Sequence, residues 1–90
     1  MRVSKDFMLR EIAGETLVIP VNEAAVHFQG IMSLNESSKL LWDRLQEDAT
    51  EDDLVTALLD VYDTTPEIAK QDVSVFLGQL REQNILLEQN

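Results

Sequence analysis

Few side chains in this chain are equipped for chemistry. His27 is the single histidine, and there is no cysteine. Nucleophilic catalysis needs a hydroxyl or thiol beside a base, with a third group orienting that base. No Ser or Asp is spaced from His27 in a way that reads as such a set. His27 falls on the polar side of a strand pattern, where a structural histidine is the ordinary case. Without thiolates, a metal would depend on carboxylates alone. The acidic run from Glu47 to Asp53 lacks the alternating ligands, central glycine and distal glutamate of an EF-hand loop. Its acids suit a helix N-terminus, where the dipole favours an anion. Three scattered glycines form no phosphate loop. The expectation is a protein without catalytic residues, cofactor or metal.

Charge narrows the partners. The formal net charge is -10, and it is unevenly spread. Residues 1–34 hold three basic and four acidic side chains, whereas residues 35–90 hold four and thirteen. Such a surface repels phosphate backbones and anionic membranes, so neither nucleic acid nor membrane is expected as a partner. No apolar run approaches the roughly 20 residues that span a bilayer. The start, Met1-Arg2-Val3-Ser4-Lys5-Asp6, lacks the layout of a secretory signal, which points to the cytoplasm. Ninety residues give one domain, 1–90, with a modest core and little room for an enclosed active site.

The elements that would position any site differ between the two halves. Up to about residue 34 the chain reads as strands. Phe7–Ile12 is followed by the turn candidate Ala13-Gly14. Thr16-Leu17-Val18-Ile19 is rich in β-branched residues and stops at Pro20. Asn22-Glu23 offers a second turn. Val26 to Leu34 then makes a third strand, with Val26, Phe28, Met32 and Leu34 on one face and His27, Gln29, Ile31 and Ser33 on the other. Three short strands with short turns predict an antiparallel meander.

The second half reads as helices. Asn35 caps the first, which carries Leu40, Leu41, Trp42 and Leu45 and runs to about Gln46. Thr50 caps the second, whose apolar stripe is Leu54, Leu58, Val61 and Tyr62, with Val55 and Leu59 alongside. Thr65-Pro66-Glu67 starts the third, a long helix with Ala69, Val73, Phe76, Leu77 and Leu80 on one face, ending near Asn84. Ile85-Leu86-Leu87 closes as a short extended segment. The fold class is α+β: an N-terminal three-stranded antiparallel sheet followed by three helices, packed in a winged helix-turn-helix-like manner.

Three functional readings fit this frame. An acyl carrier is also small, acidic and helical, and Ser33 precedes a predicted helix, but Met32 stands where such a serine follows an acid. A DNA-binding regulator would read with the third helix, yet that helix offers only Lys70 and Arg81 against Glu67, Asp72 and Glu82. The third reading is peptide binding. The last strand of a meander has an open edge, and Gly30 and Ile31 have no evident core duty. Ile68 and Val75, seven residues apart, lie at roughly 120° from the centre of the third helix's core stripe. An open edge beside a second apolar stripe is a groove for an extended peptide. Equally, Ile68 and Val75 could pack beneath the sheet.

The segment Gly30-Ile31-Met32-Ser33-Leu34-Asn35-Glu36, with Trp42 in the following helix, resembles the PqqD family. So do Leu9-Arg10-Glu11-Ile12, Leu17-Val18-Ile19, the start at Thr50-Glu51-Asp52-Asp53-Leu54, the Tyr62-Asp63 end, the series Asp72-Val73-Phe76-Leu77-Leu80 and the closing Ile85-Leu86-Leu87. The likeness covers about residues 7–88. It implies a winged helix-turn-helix that recognises the leader of a ribosomally made precursor peptide, without being a catalyst itself. The leader would add as a strand and be delivered to a modifying enzyme, commonly a radical S-adenosylmethionine (SAM) maturase. The implied groove uses Phe28, Gln29, Gly30, Ile31, Met32 and Ser33 from the strand and Ile68, Asp72, Val75, Phe76 and Gln79 from the helix. Asn35 and Glu36 would cap and orient the first helix. Lys39 departs from the small or apolar residues frequent in relatives and should face solvent. The protein itself is expected to be a monomer or a weak homodimer, since an open edge can pair two copies.

Overall fold

A computed structural model describes residues 1–27 and 32–88. Its strands are β1 (Arg2–Val3), β2 (Phe7–Ile12), β3 (Glu15–Pro20), β4 (Met32–Leu34) and β5 (Leu86–Leu87). Its helices are α1 (Ala24–His27), α2 (Glu36–Arg44), α3 (Glu51–Val61) and α4 (Pro66–Glu82). The three-stranded antiparallel sheet runs β2-β3-β4, and β1 pairs with β5 in a second, two-stranded sheet. The meander and the three long helices are as the sequence patterns predict. The β1–β5 sheet is an addition that they do not.

The β2–β3 hairpin turns at Ala13 and Gly14, both at positive φ (53° and 83°). Two left-handed residues between directly paired Ile12 and Glu15 match the twist of the flanking strands. Glycine takes that conformation freely, whereas Ala13 is there under strain. In the register Val18 pairs Leu9 and Met32, and Thr16 pairs Leu34, so the inner face presents Phe7, Leu9, Val18, Met32 and Leu34.

One expectation is corrected here. The strand expected from 26 to 34 places Val26 on one face with Phe28, Met32 and Leu34, but Ala24–His27 forms a single helical turn and Val26 is 78% exposed. Asn22, at φ 56°, turns the chain, and the amides of Ala25 and Val26 donate to the carbonyls of Asn22 and Glu23. Two consecutive alanines, the best helix formers, favour that turn over a strand. The described strand is therefore Met32–Leu34, in which Met32 and Leu34 do face the core and Ser33 is exposed. Residues 28–31 of the expected strand lie outside the described residues.

Each long helix begins on a side-chain cap. Asn35 Oδ1 accepts from the Ser38 amide at 2.8 Å and from the Ser37 hydroxyl at 3.0 Å. Thr50 and Asp53 form a reciprocal capping box: the Asp53 amide donates to Thr50 Oγ1 at 3.1 Å, and the Thr50 amide donates to Asp53 Oδ2 at 2.9 Å. Thr65 Oγ1 accepts from the Ile68 amide at 3.3 Å, with Pro66 in the first turn. At the other end of α4, Asn84 takes φ 58°, and the amides of Ile85 and Asn84 return to the carbonyls of Leu80 and Arg81. That is a Schellman motif, and it drops Ile85 into the core.

The core joins Phe7, Val18 and Leu34 of the sheet to Leu41, Trp42 and Leu45 of the α2 region, Leu54, Val55 and Leu58 of α3, and Ala69, Val73, Phe76, Leu77 and Leu80 of α4. Burying each large side chain contributes about 1.5–3 kcal/mol. Val61 and Leu59 depart from the expected α3 stripe: they are 61% and 36% exposed. Val61 is the last helical residue, and Tyr62, in an extended cap, packs against the core instead. The N-terminal segment ties both ends of the helical layer together. The Val3 amide donates to the Leu45 carbonyl at 3.0 Å, and the Ser4 amide to the Ile85 carbonyl at 2.7 Å. No described helix is long and apolar enough to cross a membrane.

Candidate functional site

Strand β4 lies at the end of its sheet, and among the described residues only β3 pairs with it. Its other edge has no partner among the described residues. Beside that edge runs a cleft of about 350 Å³, lined by Ser33 and Asn35, by Ser37, Ser38 and Leu41 of α2, by Leu58 of α3, and by Gln71, Asp72, Val75, Phe76 and Gln79 of α4. Leu41, Leu58 and Phe76 are at most 3% exposed, so they form a fixed apolar floor. The hydroxyls, amides and Asp72 form the rim.

Two hollows extend the cleft. One, of about 460 Å³, shares Asn35, Ser37, Leu58 and Asp72 with it and adds Glu36, Tyr62 and Thr64. The other, of about 240 Å³, is lined by Met32, Ser33, Gln79, Glu82 and Gln83. The cleft thus runs along α4 from Tyr62 to Gln83. Among the described residues its lining contains carboxylates and no basic side chain.

Of the residues singled out from sequence, Ser33, Asp72, Val75, Phe76 and Gln79 come together in the main cleft, and Met32 joins at one end. Ile68 is exposed (52%) one turn beyond Asp72 on α4, outside these linings, and Val75 is 56% exposed. Neither packs beneath the sheet. Phe28, Gln29, Gly30 and Ile31 lie outside the described residues. Asn35 caps α2 and also lines the cleft. Lys39 is exposed, with its ammonium 3.8 Å from the Glu11 carboxylate of β2.

Sequence reasoning missed the contributions of Ser37, Ser38, Leu41, Leu58 and Gln71. Gln71 could have been found, because it lies on the Ile68–Val75 stripe at helical spacing. The α2 and α3 residues could not, since only tertiary packing brings those helices to β4.

Other placements bear on the alternatives. Ser33 sits within a strand, two residues ahead of the α2 cap, not at a helix start. On α4, the Arg81 guanidinium donates to Glu88 at 2.7 Å and 3.1 Å, which raises its pKa and lowers that of Glu88.

An open strand edge beside a partly apolar helical cleft is a geometry to which an extended chain can add as a further strand. The sequence matches the family model for coenzyme PQQ synthesis protein D, PqqD, over residues 8–86, and the chain belongs to that family. Two solved structures share its fold. TbiB1 in complex with the TbiA(beta) leader peptide is 18% identical, with a TM-score of 0.77 over 100% of this chain and 99% of that one. Lasso peptide synthetase B1 complexed with the leader peptide is 16% identical, with a TM-score of 0.73 over 97% of this chain and 96% of that one. At these identities the likeness is one of fold. Curated protein sequences give no significant match.

Proposed function

We propose that this protein is a non-catalytic peptide chaperone. It captures the leader of a ribosomally made precursor peptide in the cytoplasm and presents it to a modifying enzyme, a radical SAM maturase. The leader adds as a fourth strand along β4, using residues 28–33, and its inward side chains enter the cleft over Asp72, Val75, Phe76 and Gln79, with exposed Ile68 as a further contact one turn beyond. Backbone hydrogen bonds supply affinity, and the cleft supplies selection at alternate positions.

The observation that carries this reading is the open edge of β4 running beside exposed Val75 over the buried floor of Phe76. Membership of the PqqD family supports it, as do two fold neighbours solved with leader peptides. The family membership also favours the radical SAM class for the enzyme. A leader that orders on binding gives up conformational entropy, so affinity should be micromolar to high nanomolar.

The test is fluorescence anisotropy with labelled leaders of candidate precursors, at two salt concentrations. Saturable binding that changes little with salt supports the proposal. Binding of a DNA duplex with a steep salt slope, or addition of a phosphopantetheine mass at Ser33 by a transferase, would instead select one of the other readings.

A further inference from the structure

Of the outer face of the β2-β3-β4 sheet, only Ser33 of β4 lines the cleft. Directly opposed residues of an antiparallel pair project to the same side. The register sets Met8, Arg10 and Ile12 of β2 beside Ile19, Leu17 and Glu15 of β3, with Ser33 of β4 next to Leu17. This face is turned away from Phe7, Val18 and Leu34. Met8 and Ile12 are 56% and 48% exposed, and Leu17 and Ile19 are half-buried. The face is therefore apolar, with one cation, Arg10, and one anion, Glu15. Among the described residues neither has an ion-pair partner.

We propose that this face is a self-association surface on which two copies pack sheet to sheet, with Arg10 of each opposite Glu15 of the other. A twofold interface must be complementary to itself. Here the register supplies that complementarity. Arg10 lies opposite Leu17, and Ile12 lies opposite Glu15. The four form a rectangle with the charges on one diagonal and the apolar side chains on the other. A twofold axis lying in the face, through the centre of that rectangle, exchanges the two charged corners. It also brings Ile12 and Leu17 of the two copies together at the middle.

Charge distribution selects a second copy as the occupant. The chain carries -10, yet this face is formally neutral, and thirteen of the seventeen acidic residues lie in 35–90. Packing sheet to sheet joins the neutral faces and turns the acidic helices outward, the orientation of least repulsion between two such molecules. Two strands of six residues and one of three, about 4.8 Å apart, make a small face. It falls short of the roughly 800 Å² per partner of a stable interface, so the dimer is weak and concentration-dependent. The open edge of β4 stays free in this arrangement, and peptide binding is not required for it.

The experiment is sedimentation equilibrium of the whole chain from tens of micromolar to about a millimolar, the range in which so small an interface associates. The weight-average mass should climb toward that of a dimer. Arg10→Glu and Glu15→Arg should each associate at least about tenfold more weakly alone, while an equimolar mixture of the two recovers association. In the mixture every cross-copy contact again joins a cation to an anion. A dilution series of the unmodified protein followed by amide NMR gives a readout that needs no variant: residues 8–19 should shift with concentration, and α3 and α4 should not. A protein that stays monomeric at a millimolar overturns the proposal. So does dimerisation that shifts β4 and α4 alone, or variants that associate as the unmodified protein does.

Discussion

Asp53 shows how one carboxylate starts a helix. It accepts the Thr50 amide, and that hydrogen bond holds its pKa below the ordinary 3.8, with a smaller opposing effect of burial and further help from the Thr50 hydroxyl contact and Arg44. A depressed carboxylate stabilises the fold fully above its unfolded pKa and loses that contribution as pH falls through its folded one. The stability gap between the unmodified protein and Asp53→Asn should therefore shrink as pH drops from about 6 to about 3, read from urea midpoints. Ala13 holds a left-handed conformation at φ 53° before Gly14. Ala13→Asn restores the pair that such turns prefer and should raise stability by about 1 kcal/mol without changing the urea m-value. Trp42 is 3% exposed, so Trp42→Ala should cost about 3–5 kcal/mol, measured in the same way. The caps at Asn35, Thr50 and Thr65 were legible in sequence because each acts within three residues. The α-helical turn at Val26 was not, because alternation at Val26, Phe28, Met32 and Leu34 imitates a strand while Ala24 and Ala25 favour a helix.

Helix α4 carries two separable faces. Ala69, Val73, Phe76, Leu77 and Leu80 are buried, whereas Ile68 and Val75 are more than half exposed. Val75→Asp should leave the thermal midpoint within a few degrees, since surface substitutions cost little. It should weaken leader binding by about tenfold, near 1.4 kcal/mol, in anisotropy titrations. Val73→Asp should unfold the domain, because it buries an unpaired charge. Loss of folding in Val75→Asp would place Val75 in the core. The start and core stripe of α4 could be read directly from the Thr-Pro-Glu signal and the helical period. The duty of its second stripe could not: periodicity sets the angle between Ile68 and the core but not what lies opposite. Only the packing of β4 and α2 beside α4 turns that stripe into one side of a cleft.

Across the whole molecule, the features hardest to read were those that join distant segments. Arg2–Val3 and Leu86–Leu87 are two-residue strands, too short to show a period, yet they pair the two ends of the described chain. The cleft likewise gathers residues from β4, α2, α3 and α4, so only its strand and α4 portions were foreseen. What the sequence does convey is the charge asymmetry, because formal charges add without reference to the fold. The measurement that bears most directly on leader capture is an NMR titration of the isotope-labelled protein with the leader of a candidate precursor. Strand addition predicts the largest amide shifts at residues 28–33 and 68–79, with intermolecular contacts between the leader backbone and β4. Saturable binding whose shifts fall elsewhere, leaving β4 and α4 unmoved, would contradict it.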